Sequence, residues 1–288
     1  MKASIIMAGT LFVVATPIGN LEDVTARALR VLREVAVIAA EDTRRTAHLL
    51  ARYGIPTSTT SLHEHNEHQK AASLVARLVA GESIALVSDA GTPTVSDPGA
   101  HLITEALRAG LKVEPIPGPN AAIAALSASG FASTEFMFLG FPPKTQTERA
   151  AWFERLGGFP GSVVFYEAPH RIRWTLEEVQ RRLGDVRVCV ARELTKSHEE
   201  LVIGPINSVL SAFKDPIGEY TVVVDVGHKP VIALTGEAME AAAFQREYAR
   251  IESEGLTRRQ VVSRLSRNLG LSAREVYRRL EEAKQSVG

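Results

Sequence analysis

Three stretches of this chain gather glycine, proline and aspartate more densely than ordinary turns require. They are Ala15-Thr16-Pro17-Ile18-Gly19-Asn20-Leu21, Ser88-Asp89-Ala90-Gly91-Thr92-Pro93 with its continuation Ser96-Asp97-Pro98-Gly99, and Pro117-Gly118-Pro119-Asn120-Ala121-Ala122. Glycine lets a backbone come close to a ligand, and proline fixes a loop's shape before anything binds. Each stretch follows an apolar run that reads as a strand, and open α/β sheets hold their ligands beyond the carboxyl ends of strands. The second is also longer than a simple strand-to-helix turn needs. Any one of them alone reads equally well as a tight turn; the three together read as a ligand cradle made of backbone.

Four charged clusters also follow strand-like runs: Glu41-Asp42-Thr43-Arg44-Arg45, His63-Glu64-His65-Asn66, Glu167 with His170 and Arg171, and Arg192-Glu193-Leu194-Thr195-Lys196. Carboxylates, histidines and lysines are the groups that move protons, while arginine grips phosphates. The competing reading of such clusters is surface ion pairing at strand ends. His63, His65 and His68 alternate without an obvious outer shell, so no metal site is expected from them. The chain contains no GxGxxG, GxxxxGK[ST], HExxH, GxSxG or paired CxxC, which argues against a dinucleotide-binding enzyme, a P-loop NTPase, a zincin and an α/β-hydrolase.

These residues need elements to position them. Leu11–Ala15, Val35–Ala40, Ser58–Leu62, Ile84–Ser88 and Val113–Ile116 read as strands, and Thr25–Arg33, Arg44–Tyr53, Glu67–Val79 and Ala100–Ala109 show helical spacing. Strand and helix alternation predicts a largely parallel sheet. After the irregular stretch Gly130–Pro143, read as a hinge, a second α/β unit is expected. Its strands are Val163–Tyr166, Val186–Ala191, Leu201–Ile203 and Tyr220–Val226, and its helices lie near Arg149–Leu156, Arg171–Leu183 and Asn207–Phe213. Beyond Gly227–Pro230 the pattern is helical, with Thr257–Asn268 and Ser272–Gln285 separated by Leu269-Gly270-Leu271. Ser272 with Glu275 forms a capping box, and the pair is helix-turn-helix-like.

Composition sets the outer bounds. At 288 residues, 45% hydrophobic and 23% charged, the chain can bury more than one core. Its net charge of zero gives no overall pull toward nucleic acid or membrane. The charge is unevenly divided, however: residues 244–288 hold ten Lys/Arg against six Asp/Glu, a net of +4, leaving −4 elsewhere. The lone Cys189 excludes an internal disulfide, suits a reducing compartment, and sits in a run that reads as a buried strand. The uncharged stretch after Lys2 is broken by Gly9, Thr16, Pro17 and Gly19, so it reads as a strand and loop, not a secretory leader. No stretch has the ~20 apolar residues of a bilayer span, and a cytoplasmic protein is expected.

Val14–Leu21, Ala40–Arg45, Leu86–Gly99, Pro115–Ala125 and Phe165–Arg171 together resemble the tetrapyrrole methylase superfamily of S-adenosylmethionine-dependent enzymes. The sequences ATPIGNLED, AEDTRRT, SDAGTPTVSDPG, PGPNAAIAAL and YEAPHR are closest to the branch that methylates the ribose 2′-hydroxyl of a cytidine in the decoding region of 16S rRNA. The resemblance implies an α/β, two-lobed tetrapyrrole-methylase-like fold with a C-terminal helical extension. It divides the chain into an amino-terminal lobe, 1–129, a second lobe, 130–228, and an RNA-binding extension, 229–288. It also implies a homodimer and, as cofactor, S-adenosylmethionine on Pro17, Asp89, Ala90, Gly91, Asn120, Ala121, Tyr166, Gly218, Tyr220 and Thr221.

For such chemistry the candidate proton acceptors are Asp42, His63, Glu64 and Glu167. Arg44, Arg45, His170, Arg171 and Lys196, with Arg258, Arg259, Arg264, Arg267, Arg274, Arg278 and Arg279 in the tail, are candidates for gripping 16S rRNA within the small ribosomal subunit. Sulfonium methyl transfer needs alignment and exclusion of water, and no metal. A corrinoid or porphyrin precursor as acceptor, and a non-catalytic ribosome-assembly protein on the same fold, are the alternatives.

Overall fold

The computed structural model describes residues 8–131, 134–212, 217–227, 244, 248, 258–269, 272, 275–278 and 280. They fall into two compact units, Met1–Gly227 and His228–Gly288. The first unit contains two five-stranded sheets.

In the first sheet, β1 (Thr10–Val14), β2 (Val37–Ala40), β3 (Thr59–Ser61), β4 (Ile84–Val87) and β5 (Lys112–Ile116) run parallel in the order β3-β2-β4-β1-β5. Each crossover that joins β1 through β5 carries helix: α1 (Ala26–Glu34), α2 (Thr43–Arg52), α3 (Glu67–Val79) and α4 (Ala100–Arg108). α1 and α2 bury Leu32, Leu49 and Leu50 on one face with Val14 and Ile38; α3 and α4 bury Leu74, Leu78 and Leu102 on the other with Leu11 and Ile84. A sheet covered on both faces needs continuous apolar strands, which explains the unbroken Val37–Ala40 and Ile84–Val87 runs. Thr25 and Asp42 start their helices by accepting from the backbone N–H of Ala28 and Arg44.

The order matters for function. β4, β1 and β5 are neighbours, so the loops that follow them emerge side by side on one edge, next to the end of β2.

The second sheet comprises β6 (Phe136–Phe138), β7 (Ser162–Glu167), β8 (Arg187–Arg192), β9 (Glu200–Pro205) and β10 (Tyr220–Asp225), in the order β6-β7-β10-β8-β9. Only β6 and β7 are parallel; the remaining pairs are antiparallel. α6 (Gln146–Gly158), α7 (Pro169–Leu183) and α8 (Ile206–Ala212) cover one face through Trp152, Leu156, Ile172, Leu176 and Val209. The other face receives α5 (Ala121–Ala128), whose Ala122 and Ala125 pack with Val164, Cys189 and Val223. Cys189 is fully buried in β8, as its apolar run implied, and burial pushes its thiol up to about 11.

Two elements were not visible in the pattern. α5 lies in a run that reads only as loop, because Ala-Ala-Ile-Ala-Ala-Leu-Ser-Ala is apolar all round and offers no 3.6-residue contrast. β6 sits inside Gly130–Pro143, expected as a hinge; three residues between turn-formers are too few to show alternation.

In the second unit, α9 (Arg258–Leu269) buries Val261, Val262 and Leu265 with Phe244, Val276 and Leu280. Ser272 Oγ accepts from Glu275 N at 3.2 Å, the cap expected there. The turn of the helix-turn-helix reading, and Arg274 and Arg279, lie outside the described residues. Among the described residues no helix is long and apolar enough to cross a membrane.

Candidate functional site

The three loops after β1, β4 and β5 are stitched into one surface. Thr16 and Gly91 exchange both backbone hydrogen bonds, Thr16 N to Gly91 O at 2.9 Å and Gly91 N to Thr16 O at 3.0 Å. Thr16 Oγ1 donates to Ser88 O at 3.3 Å, and Thr92 Oγ1 donates to Pro119 O at 3.1 Å. Gly91 has φ +79°, a conformation that favours glycine, and a Cβ there would crowd Ile18 Cγ2 at 3.3 Å. Thr94 and Ser96 also have φ of +70°, a strained conformation for residues with a Cβ. Asn120 caps α5 by accepting from Ile123 N at 3.2 Å, which fixes the third loop.

Behind this surface lies a cavity of about 430 Å³, within the roughly 300–1,000 Å³ range of small-molecule sites. Of the ten expected cofactor residues, Asp89, Ala90, Gly91, Asn120, Ala121, Tyr166, Tyr220 and Thr221 line it. Pro17 and Gly218 do not, although their neighbours Ile18 and Glu219 do. Gly218, with φ +90°, lies against the Glu193 side chain.

The cavity wall is acidic. Asp89 Oδ1 accepts from Asp42 N at 2.9 Å, its own N–H donates to Glu41 Oε2 at 3.2 Å, and Arg45 Nε stands 3.5 Å from Asp89 Oδ2. Burial, then the nearby Asp89, lifts the Glu41 carboxyl above its usual range despite its bond to the Asp89 backbone. Asp97, on the same wall, is pushed up to about 6 by burial first and then by the negative charge of Glu41, with Ser88 partly offsetting. Neither Glu41 nor Asp97 was singled out as a proton acceptor from the sequence. Their clusters were visible, but nothing local distinguishes which carboxylate of a cluster faces inward.

The second sheet closes the opposite wall. Tyr166 and Glu167, at the end of β7, pair in register with Thr221 and Tyr220 at the start of β10. Burial raises the Tyr166 phenol, so the ring enters the cavity wall as a neutral hydroxyl. Glu167 is only 2% exposed and fully engaged: Oε1 accepts from Ala168 N at 2.8 Å and pairs with Arg171 Nη2 at 2.7 Å, while Oε2 accepts from Thr175 Oγ1 at 2.6 Å. Arg171 also donates from Nη1 to Pro142 O at 3.2 Å.

The other expected residues fall outside the lining. Asp42 caps α2 and is drawn down to about 2 chiefly by its hydrogen bond from Arg44, whose side chain is 88% exposed. His63 faces Asn66, with Asn66 Nδ2 at 3.0 Å from His63 Nε2; Glu64 and His170 are exposed. Lys196 ties Glu193 to Glu219, both at 2.9 Å. Burial pulls its ammonium down, but these two partners outweigh that and hold it above its usual range. Arg264 is exposed on α9, and Arg278 pairs with Glu275 at 2.5 Å. The side chains of Arg258, Arg259 and Arg267 lie outside the described residues. No group of three or more His, Cys, Asp or Glu that could hold a metal occurs among the described residues.

The fold is similar to that of solved structures of other proteins. A uroporphyrin-III C-methyltransferase from Thermus thermophilus, solved in complex with S-adenyl homocysteine, superposes with a TM-score of 0.54 at 18% identity, covering 76% of this chain and 98% of that one. A diphthine synthase superposes at 0.58 with 15% identity, covering 75% and 90%. The family model described as tetrapyrrole (corrin/porphyrin) methylases matches residues 10–210, and the chain belongs to that family.

Within the family it is similar to proteins named ribosomal RNA small subunit methyltransferase I. The one from Halalkalibacterium halodurans is 38% identical over 273 residues, 93% of each chain. That from Bacillus subtilis is 40% identical over 271 residues, 93% of each, and that from Escherichia coli O157:H7 is 46% identical over 226 residues, 77% of this chain and 79% of the other.

Proposed function

We propose that the protein transfers a methyl group from S-adenosylmethionine to the ribose 2′-hydroxyl of a cytidine in the decoding region of 16S rRNA, in the cytoplasm and as a homodimer. The observation that carries the donor assignment is the acidic, backbone-lined cavity. A sulfonium is a cation, and Glu41, Asp89 and Asp97 supply negative charge on a wall whose backbone, at Ala90, Gly91 and Ala121, carries small side chains or none. The rRNA acceptor rests on the relatives that match across 93% of the chain and carry that name.

When bound, S-adenosylmethionine supplies a methyl group on a positively charged sulfur, already activated for in-line displacement. The protein's part is to align the acceptor oxygen, exclude water and take a proton. A ribose hydroxyl ionises far above neutral pH, so a base with pKa near the working pH assists most. Of the carboxylates described, Asp97 fits that requirement better than the four groups expected from the sequence. Asp42 is held too low to be an effective base, Glu167 has both oxygens occupied, and His63 and Glu64 lie off the cavity wall. Arg45, in the cavity lining, is placed to meet a phosphate, and Arg44 beside it on α2 pairs with Asp42 while its side chain stays 88% exposed. The tail arginines would add salt-dependent, sequence-independent grip.

Mass spectrometry of rRNA fragments from cells with and without the gene tests the reading. A ribose-borne methyl on one small-subunit cytidine should disappear with the protein. Methylation of a porphyrin or corrinoid precursor with intact rRNA modification would replace it with the small-molecule alternative.

A further inference from the structure

Phe141 is 52% exposed and forms part of the cavity wall. A phenyl ring left half in water is unfavourable unless something else will cover it. The backbone that carries this ring is held in place. On one side, Gly140 adopts φ +61° and its carbonyl accepts from Tyr166 N at 3.0 Å. On the other, the Pro142 carbonyl accepts from Arg171 Nη1 at 3.2 Å, and the Pro142-Pro143 pair stiffens the chain. The backbone is thus pinned on both flanks of the exposed ring.

Its surroundings are aromatic on one side only. The Phe141 centroid lies 5.5 Å from that of Tyr166 at 59°, and Tyr166 in turn meets Phe138 at 4.9 Å in an edge-on contact. A Cβ on Gly140 would stand 3.2 Å from Ser96 Oγ, so this turn abuts the loop that carries Asp97. The same cavity thus offers an apolar ring, the carboxylates Glu41 and Asp97, and the guanidinium of Arg45. A nucleotide presents a flat base, a ribose hydroxyl and a phosphate, and each group has a counterpart in that lining.

We propose that Phe141 is the stacking platform for a nucleobase of the acceptor RNA, and so a substrate-positioning residue distinct from the donor cradle. This rests on the functional reading above for the identity of the acceptor. Stacking on aromatic side chains is how proteins commonly hold unpaired RNA bases, and every base has a π-face to offer.

The test uses the full chain with Phe141→Ala, Phe141→Leu and Phe141→Tyr. Methyl transfer to small ribosomal subunits is one readout, and fluorescence quenching of a pyrrolocytidine-containing oligoribonucleotide is the other. The ring is exposed, so melting temperatures should match the wild type. The expected result is that Phe141→Ala loses the quenching and raises KM for subunits roughly five- to a hundredfold, with kcat and donor affinity within about twofold. Phe141→Tyr should restore both readouts and Phe141→Leu neither.

Rescue by leucine as good as by tyrosine would overturn the stacking role, as would a fall in donor affinity matching the rise in KM. Subunit methylation indifferent to all three variants would overturn it while leaving the functional reading intact. Phe141-dependent quenching without any rRNA methylation would do the reverse.

Discussion

The two sheets of the first unit reach the cavity by different routes. In the parallel sheet every strand's carboxyl end lies on one edge, so the adjacent strands β4, β1 and β5 deliver three loops to one place with no further device. In the mixed sheet β7 and β10 run oppositely, and the cavity takes the end of β7 together with the start of β10, joined by the pairs Tyr166–Thr221 and Glu167–Tyr220. The first wall is mostly backbone and small residues, whereas the second is built from side chains held by buried contacts. A backbone wall should respond to glycine substitution through strain, and a side-chain wall to loss of its supports.

The largest expected effect lies on the second wall. Glu167 is buried, with Arg171 as its ion-pair partner and Thr175 and Ala168 as hydrogen-bond donors, so Glu167→Ala strands a guanidinium and a hydroxyl at once. Breaking a buried pair from one side costs about 3–5 kcal/mol. Urea denaturation should show a loss on that scale, with Glu167→Gln intermediate. A loss below about 1 kcal/mol, the scale of an exposed pair, would mean that the second wall does not depend on this carboxylate.

Next comes Gly91→Val on the first wall. A β-branched residue at φ +79° carries about 1–3 kcal/mol of strain, and its side chain would press on Ile18. Donor affinity measured by calorimetry should fall roughly five- to 150-fold, the same energy expressed as a ratio. The two walls would lose their distinction if Gly91→Val bound donor normally.

The same contrast explains what could be read in advance. The loops of the first wall announce themselves as composition, because a backbone cradle has to be made of glycine, proline and small polar residues wherever it occurs. Asp89, Ala90, Gly91, Asn120 and Ala121 of those loops line the cavity, whereas Tyr166, Tyr220 and Thr221 on the second wall were expected from the family resemblance alone. The carboxylates gave no such signal: Asp42 and Glu41 are adjacent in sequence, yet one caps a helix and the other faces the cavity. α5 was missed because its surfaces are alike, although it packs its alanines on the second sheet while its Asn120 cap holds the cavity's third loop. Nothing short of tertiary contact separates these cases.

Asp97 gives a smaller effect that changes sign between stability and function. In the folded protein it keeps its proton up to about 6, against 3.8 for an unperturbed carboxyl. Between those values the folded state holds a proton that the unfolded chain has released, so stability falls as pH rises through that window and the cost is complete above it. Asp97→Asn should therefore melt higher than the wild type at about pH 8 and match it near pH 4. At the same alkaline pH its affinity for the cationic donor should drop about fivefold or more, the scale of one nearby charge. The acid limb of the pH–rate profile near 6 should vanish with it. An unchanged limb would assign the ionisation elsewhere, with Glu41 the next carboxylate on that wall.

The smallest effect concerns how the walls are joined. Thr195 Oγ1, in the connection between β8 and β9, accepts from Asn20 N at 2.9 Å, in the loop after β1. Gly19 permits this approach, because a Cβ there would stand 2.7 Å from that oxygen and 2.5 Å from Lys196 Cγ. Thr195→Val keeps the shape and removes the acceptor, at a cost of about 0.5–1.5 kcal/mol that partial solvation of Asn20 pushes toward the lower end. Global stability should barely move, while amide exchange at Asn20 should quicken several-fold and donor affinity soften by less than about threefold. If exchange at Asn20 stays slow in the variant, the two walls are held by packing of α5 instead of by this hydrogen bond.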